Sequence, residues 1–214
     1  MHLRPLSFVA LSAASLAATV ILGAPSSAQS PSGAHVGSVS GHVFNPHAKA
    51  CYSNLANDSS NGFFSTKTAN PDTYTSAGAA DVVLSKPCTV KTVQVNGVLI
   101  PGAPVKGVTV SVYKNKGGLP GKLEYTAKTT GDFSTPNFDL TVKKPFTISA
   151  GTHWVSVQAI GDYNTNGWYW ESSTTVQNGT DVWENPGGAF GHCSTWDTLT
   201  NCFSANYDYL LQIN

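Results

Sequence analysis

Alternation of side chains with a period of two, over residues 147–173, is the feature that most constrains this fold. In TISAGTHWVSVQAIGDYNTNGWYWESS, Val155 and Val157 recur at every second position, and Trp168 and Trp170 do the same after a polar loop. Successive side chains of a β-strand point to opposite faces of a sheet, so this spacing is typical of strands. The segment predicts two strands joined by a loop.

Similar alternating runs recur along the chain, separated by turn residues such as the Gly117-Gly118 pair. The residues that we expect to point inward are Val108, Val110, Val112, Phe138, Leu140, Val155 and Val157. Many short alternating strands with Gly, Pro and Asn between them are typical of sandwiches and barrels. We therefore predict an all-β fold over residues 51–214, a single antiparallel β-sandwich that is jelly-roll-like.

The amino-terminal residues predict export. Arg4 precedes an apolar run over residues 6–22, and Ser26-Ser27-Ala28 provides small residues for cleavage. This order is typical of a secretory signal peptide, which we assign to residues 1–28. Residues 29–50 are rich in Ser, Gly and His and are interpreted as a flexible N-terminal arm. We expect a secreted, extracellular protein without a membrane span.

Four cysteines follow the predicted signal peptide, which favours disulfide bonds. Three pairings are possible for Cys51, Cys88, Cys193 and Cys202. The short separation of the last two favours a Cys193–Cys202 bridge, which leaves Cys51 with Cys88. A zinc site is the alternative, but the spacings do not fit the usual Cys-x-x-Cys pairs.

Charge is sparse and balanced, with 12 basic and 12 acidic residues, and Arg4 is the only arginine. Nucleic-acid partners are recognised through clustered Lys and Arg, so this composition argues against them. We expect a monomer.

Three segments resemble a family of uncharacterised bacterial secreted β-sandwich domains, the choice-of-anchor-like extracellular domains. They are VTVSVYKNKGGLPGKL, FTISAGTHWVSVQA and GWYWESSTTVQNGTDVWENPGGAFGHCSTW. AADVVL is similar to the Ala-Asp-Asp-Phe entry strand of this family, with Val82 in place of the second Asp. The resemblance implies an extracellular β-sandwich and leaves the activity open.

A neutral glycan, such as a polysaccharide, is the ligand that the aromatic residues favour. The predicted ligand-binding residues are Trp154, Tyr163, Asn166, Trp168 and Trp170. Indole faces stack on sugar rings, and neutral amides can bind hydroxyl groups. The alternative is that these tryptophans fill the core of the sandwich, as buried Trp does in such folds. The leading hypothesis is a non-catalytic binding module, with a structural or matrix protein as one alternative.

Acidic and histidine residues suggest three further sites. Asp81 and Asp208 lie in predicted strands and could hold a structural Ca²⁺, with Asp162 and Asp181 as further oxygen donors in loops. Glu171 and Glu184 would be the carboxylate pair of a hydrolytic carbohydrate-active enzyme. A copper-dependent enzyme would need His35 as a new amino terminus. Solvated surface acids are the simpler interpretation of both carboxylate sets.

Overall fold

The computed structural model describes residues 33–37, 50–69, 71–100 and 102–214. These residues form sixteen strands, a 3-10 helix at Asp72–Tyr74 and the short helix α1 at Leu199–Phe203. The strands are β1 (His35–Gly37), β2 (Tyr52–Asn54), β3 (Asp58–Phe64), β4 (Thr66–Thr68), β5 (Ala77–Leu84), β6 (Cys88–Val95), β7 (Gly97–Ile100), β8 (Gly107–Lys116), β9 (Leu119–Thr130), β10 (Phe138–Ile148), β11 (Gly151–Gly161), β12 (Gly167–Ser173), β13 (Val182–Glu184), β14 (Asp197–Thr198), β15 (Asp208–Tyr209) and β16 (Leu211–Ile213).

Two packed sheets confirm the predicted all-β sandwich. The larger sheet has the order β14-β13-β5-β11-β8-β9-β10-β6-β16-β2, and β4 pairs with β11 in parallel. In the smaller sheet, β12 lies between β3 on one side and β7 followed by β15 on the other. The helices in the described part of the chain are too short and too polar to cross a membrane.

The predicted core is confirmed. All seven inward-facing residues named above have side chains that are at most 2% exposed. Trp168 of the smaller sheet contacts Phe138 of the larger one, with ring centroids 5.0 Å apart. The period of two therefore identified the faces that meet between the sheets.

Both predicted disulfides are present, Cys51–Cys88 and Cys193–Cys202. The first closes a loop of 37 residues and the second a loop of 9. Every described cysteine is bridged, so the zinc alternative is wrong.

The amino-terminal half differs from its predicted role at two places. The signal peptide and most of the arm lie outside the described residues, but His35–Gly37 forms β1 and pairs with β3. The Asn-, Ser- and Thr-rich composition of residues 52–80 predicts a segment that wraps an edge of the sandwich, with Phe63, Phe64 and Tyr74 as anchors. Instead, Phe63 and Phe64 are fully buried in β3, beside β12. The Asn and Ser residues around them made β3 difficult to predict from sequence. These polar side chains can lie in a central strand because hydrogen bonds to neighbouring segments satisfy them.

Candidate functional site

Three aspartates from distant parts of the chain meet at one place in the fold. Asp81 lies in β5, Asp181 directly precedes β13, and Asp208 begins β15. Strand β13 pairs with β5, with Val182 opposite Ala79, which brings Asp181 beside Asp81. The backbone N–H of Tyr209 donates to Asp181, which brings β15 to the same point. The three side chains form what we call the carboxylate cluster.

The carboxylate cluster is compact and buried. One oxygen from each residue lies within 4.8 Å of the others. Asp181 and Asp208 are fully buried, and Asp81 is 5% exposed. Buried carboxylates without a compensating partner are unusual, because removing a charge from water has a large free-energy cost.

Backbone N–H groups fix two of the three acids. Asp181 accepts from the N–H of Asp81 at 2.8 Å, and Asp208 Oδ2 accepts from the N–H of Gln177 at 2.7 Å. By contrast, Oδ1 of Asp81 and Oδ1 of Asp208 are buried and have no hydrogen-bond partner. The carboxylates are thus held in place while two of their oxygens remain available.

Burial disfavours the ionised form of all three acids. It raises the pKa of Asp81 to about 6 and the pKa of Asp208 to about 7. Burial, followed by the charges of Asp208 and Asp81, raises the pKa of Asp181 well above its usual range. Burial, followed by the same three negative charges, also raises the pKa of Tyr52. All four groups therefore favour their neutral forms.

A surface cavity of about 390 Å³ opens beside the cluster, and Asp81 forms part of its wall. Trp154, the cross-strand neighbour of Asp81, is another wall residue, and its indole N–H donates to Asn115 Oδ1 at 3.1 Å. The remaining walls are uncharged, formed by Val83, Asn115, Gly118, Thr152, Asn178, Gly179, Thr180 and Thr198. We call this cavity the polar pocket. It offers amide and hydroxyl groups to a ligand and a single carboxylate.

The predicted stacking surface of Trp168 and Trp170 is wrong. The two indoles do share a face of β12, with ring centroids 6.0 Å apart, but both are fully buried. Their N–H groups donate to the backbone oxygens of Pro136 and Leu210. These residues build the core, as the alternative interpretation held.

Two more of the predicted ligand residues have structural roles. Tyr163 stacks on Tyr74 with ring centroids 4.0 Å apart. Asn166 is 7% exposed, accepts from the N–H of Asp162 and donates to the Pro104 oxygen. Only Trp154 of the five predicted residues reaches the polar pocket.

The other sequence candidates do not assemble a site. Asp162 pairs with Lys106 at 2.7 Å and does not join the carboxylate cluster. Glu171 is fully buried in β12, so it cannot act as the exposed partner of Glu184 across a substrate. His35 contacts Asn61 at 3.0 Å.

One arrangement escaped the sequence prediction. Ser149 Oγ lies 3.2 Å from His153 Nε2, and His153 Nδ1 lies 3.1 Å from Glu124 Oε2. Ser149 and His153 flank a tight turn four residues apart, which the sequence shows, but Glu124 comes from β9. The order of the strands in the larger sheet places Glu124 beside Ser149 and His153.

The resemblance to choice-of-anchor-like domains remains an expectation carried by the quoted segments. Comparison of the chain with protein-family models, with curated proteins and with solved structures found no match.

Proposed function

We propose that this chain is an exported, monomeric, non-catalytic binding module whose ligand is a neutral glycan held in the polar pocket. The single observation that carries the proposal is the composition of that pocket, in which amides and hydroxyls converge on a cavity of about 390 Å³. Ligand sites are commonly concave, with a few polar groups that orient the ligand. Two disulfides favour export, because such bonds persist in oxidising compartments.

The pocket suits a polyhydroxylated ligand better than a charged one. Asn115, Asn178 and Thr152 are exposed and provide both donors and acceptors. The ion pairs of the described chain, Lys106–Asp162, Lys114–Glu124 and His153–Glu124, involve none of the pocket residues. An anionic ligand would meet Asp81 without a compensating cation in the wall.

Retention on neutral polysaccharides tests the proposal. The disulfide-bonded protein should be retained, and Thr152→Arg should weaken retention at least tenfold because the long side chain would occupy the pocket. Thr141→Arg is the matched control, since Thr141 is also an exposed strand threonine but lies in β10, outside the pocket. Failure of the parent to bind any neutral glycan would refute the function. Equal binding by Thr152→Arg would refute the location.

A second candidate function is hydrolysis of an ester, favoured by the Ser149–His153–Glu124 chain of contacts. His153 is positioned to take the Ser149 proton, and Glu124 orients the imidazole, as in serine hydrolases. Ser149 Oγ would attack the acyl carbon, the alcohol would leave with the proton from His153, and water would release the acid. Ser149 and Glu124 border a cavity of about 280 Å³ that Tyr125 and Phe146 also line. Hydrolysis ranks second because acyl transfer also needs hydrogen-bond donors that stabilise the oxyanion, and the contacts that support this candidate include none.

A fluorophosphonate probe and p-nitrophenyl acetate test this candidate. Labelling at Ser149, together with activity that disappears in Ser149→Ala and persists in Ser111→Ala, would support a hydrolase. Ser111 is a suitable control because it also contacts a side chain, Thr126, at 3.0 Å on a strand surface. Absence of labelling and of turnover would exclude the serine mechanism.

A further inference from the structure

The carboxylate cluster brings three acids together, and none of them forms an ion pair with a described basic side chain. Three acidic side chains that are each at least 95% buried share one region. Among the ion pairs of the described residues, none includes Asp81, Asp181 or Asp208. An ionised trio in this position would strongly destabilise the fold unless a cation were bound.

Hydrogen bonds prepare the cluster for a ligand and do not neutralise it. The N–H groups of Asp81, Gln177 and Tyr209 each donate to a cluster carboxylate, which fixes the orientation of the acceptor. Oδ1 of Asp81 and Oδ1 of Asp208 remain without a partner although both atoms are buried. Buried polar atoms of native proteins almost always have a partner, and a bound species would provide one for both atoms of this cluster.

We propose that Asp81, Asp181 and Asp208 bind one divalent cation of the calcium type. The ligand atoms of the cluster are all carboxylate oxygens, without the thiolate or imidazole that zinc and copper sites use. Calcium–oxygen distances are about 2.3–2.6 Å, so two oxygens of one calcium shell lie at most about 5 Å apart. The spacing within 4.8 Å meets this limit without movement of the chain.

The cation would join three parts of the fold that are distant in sequence. Asp81 belongs to the larger sheet, Asp208 to the smaller sheet, and Asp181 to the connection that follows β12. The same connection carries Asn178, whose side chain hydrogen-bonds to Asp81 and lines the polar pocket. Calcium would therefore stabilise both the contact between the sheets and one wall of the pocket.

Thermal unfolding of the chelator-treated protein measures the effect of the ion directly. A ligand that binds only the folded state at about 100 times its Kd should raise Tm by roughly 5–10 °C for a chain of this size. Magnesium should have a smaller effect, because it binds at about 2.0–2.1 Å and retains its waters. Terbium is a second probe, since Trp154 neighbours Asp81 across the strands and can sensitise its luminescence.

Asp81→Asn and Asp208→Asn are the informative variants, because each changes a carboxylate with an unpartnered oxygen and keeps its size. Both variants should fold in chelator and lose the calcium-dependent rise in Tm and the terbium signal. Asp162→Asn is the matched control and should retain both, since Asp162 lies outside the cluster. Asp181→Asn is less informative, because Asp181 also holds two backbone N–H groups.

Several outcomes would overturn the assignment. They are a Tm that is insensitive to calcium up to 10 mM, a rise that persists in both Asn variants, and a magnesium effect equal to that of calcium. The inference is argued from the carboxylate cluster and not from the identity of the ligand in the pocket, although Asp81 belongs to both. Loss of glycan binding in Thr152→Arg with an intact calcium response would separate the two sites, and a calcium response without any glycan binding would leave this one standing.

Discussion

Replacement of Trp170 by alanine should reduce the stability of the fold and not merely its affinity for a ligand. The side chain is fully buried, stacks on Tyr209 with ring centroids 4.3 Å apart, and donates to the Leu210 oxygen at 2.9 Å. Burial of about 150–250 Å² at about 25 cal/mol per Å² gives roughly 4–6 kcal/mol as an upper estimate. Large-to-small core changes at Trp cost about 3–5 kcal/mol, and the orphaned carbonyl adds about 1 kcal/mol. We expect a loss of about 4–6 kcal/mol.

Urea unfolding followed by tryptophan fluorescence and circular dichroism measures this loss. With a slope of about 2–3 kcal/mol/M, the midpoint should fall by roughly 2 M. Trp170→Phe should cost only about 1–2 kcal/mol, because it keeps the stacked ring and removes the N–H donor. Trp196→Ala, at a half-buried indole on the outer face, should cost less than about 2 kcal/mol. A loss below about 1 kcal/mol in Trp170→Ala would refute the core assignment and reopen a role in ligand contact.

Three further predictions concern the core, the bridges and pH. Leu140→Ala should lower the free energy of unfolding by about 2–5 kcal/mol, since Leu140 is fully buried, and a urea-measured loss under about 0.5 kcal/mol would contradict its placement. Removal of the Cys51–Cys88 bridge by paired serine substitutions should cost about 4 kcal/mol and removal of the shorter bridge about 2.5 kcal/mol, because the longer loop restricts the unfolded chain more. The reverse order in chemical denaturation would show that strain or residual structure dominates. Burial, followed by repulsion from Asp58, raises the pKa of Glu171 from 4.5 to about 8. The contribution of neutral Glu171 to the free energy of unfolding is therefore fully present below pH 4.5 and is lost as the pH rises through 8. Glu171→Gln should flatten this decline by up to about 1.4 kcal/mol per pH unit, and parallel pH profiles of parent and variant would exclude the effect.

Alternation along a strand predicts which residues share a face, and it does so independently of the rest of the chain. Val110 and Val157 could therefore be placed in the core from sequence alone, and the structure confirms both. The same pattern cannot say whether the second face meets solvent or another segment. Every residue of β12 is buried, because other segments cover both of its faces. Trp170 consequently shares a face with Trp168, as predicted, without forming a surface.

The candidate sites depend on contacts that local sequence does not encode. Asp81 and Asp208 could be singled out as oxygen donors in strands, whereas Asp181 gave no stronger signal than Asp162. The pairing of β13 with β5 decides between these two loop acids. The polar pocket was missed for the same reason, since its walls come from five separate parts of the chain and only Trp154 had an aromatic signal.

The pairing of β2 with β16 has a topological consequence. Tyr52 lies opposite Ile213 in antiparallel register, and the N–H of Cys51 donates to the Ile213 oxygen at 2.8 Å, so the two strands form a hairpin that lacks its turn. A short turn from residue 214 to residue 51 would complete this hairpin, and the chain could be opened instead at Gly117-Gly118, an exposed tip with positive φ angles. Such a circular permutant would omit residues 1–50, and β1 with them, but would keep the register of the other strands. Closure of β2 on β16 would become local and closure of β8 on β9 would become distant, so the order of assembly would change while the sandwich stayed the same.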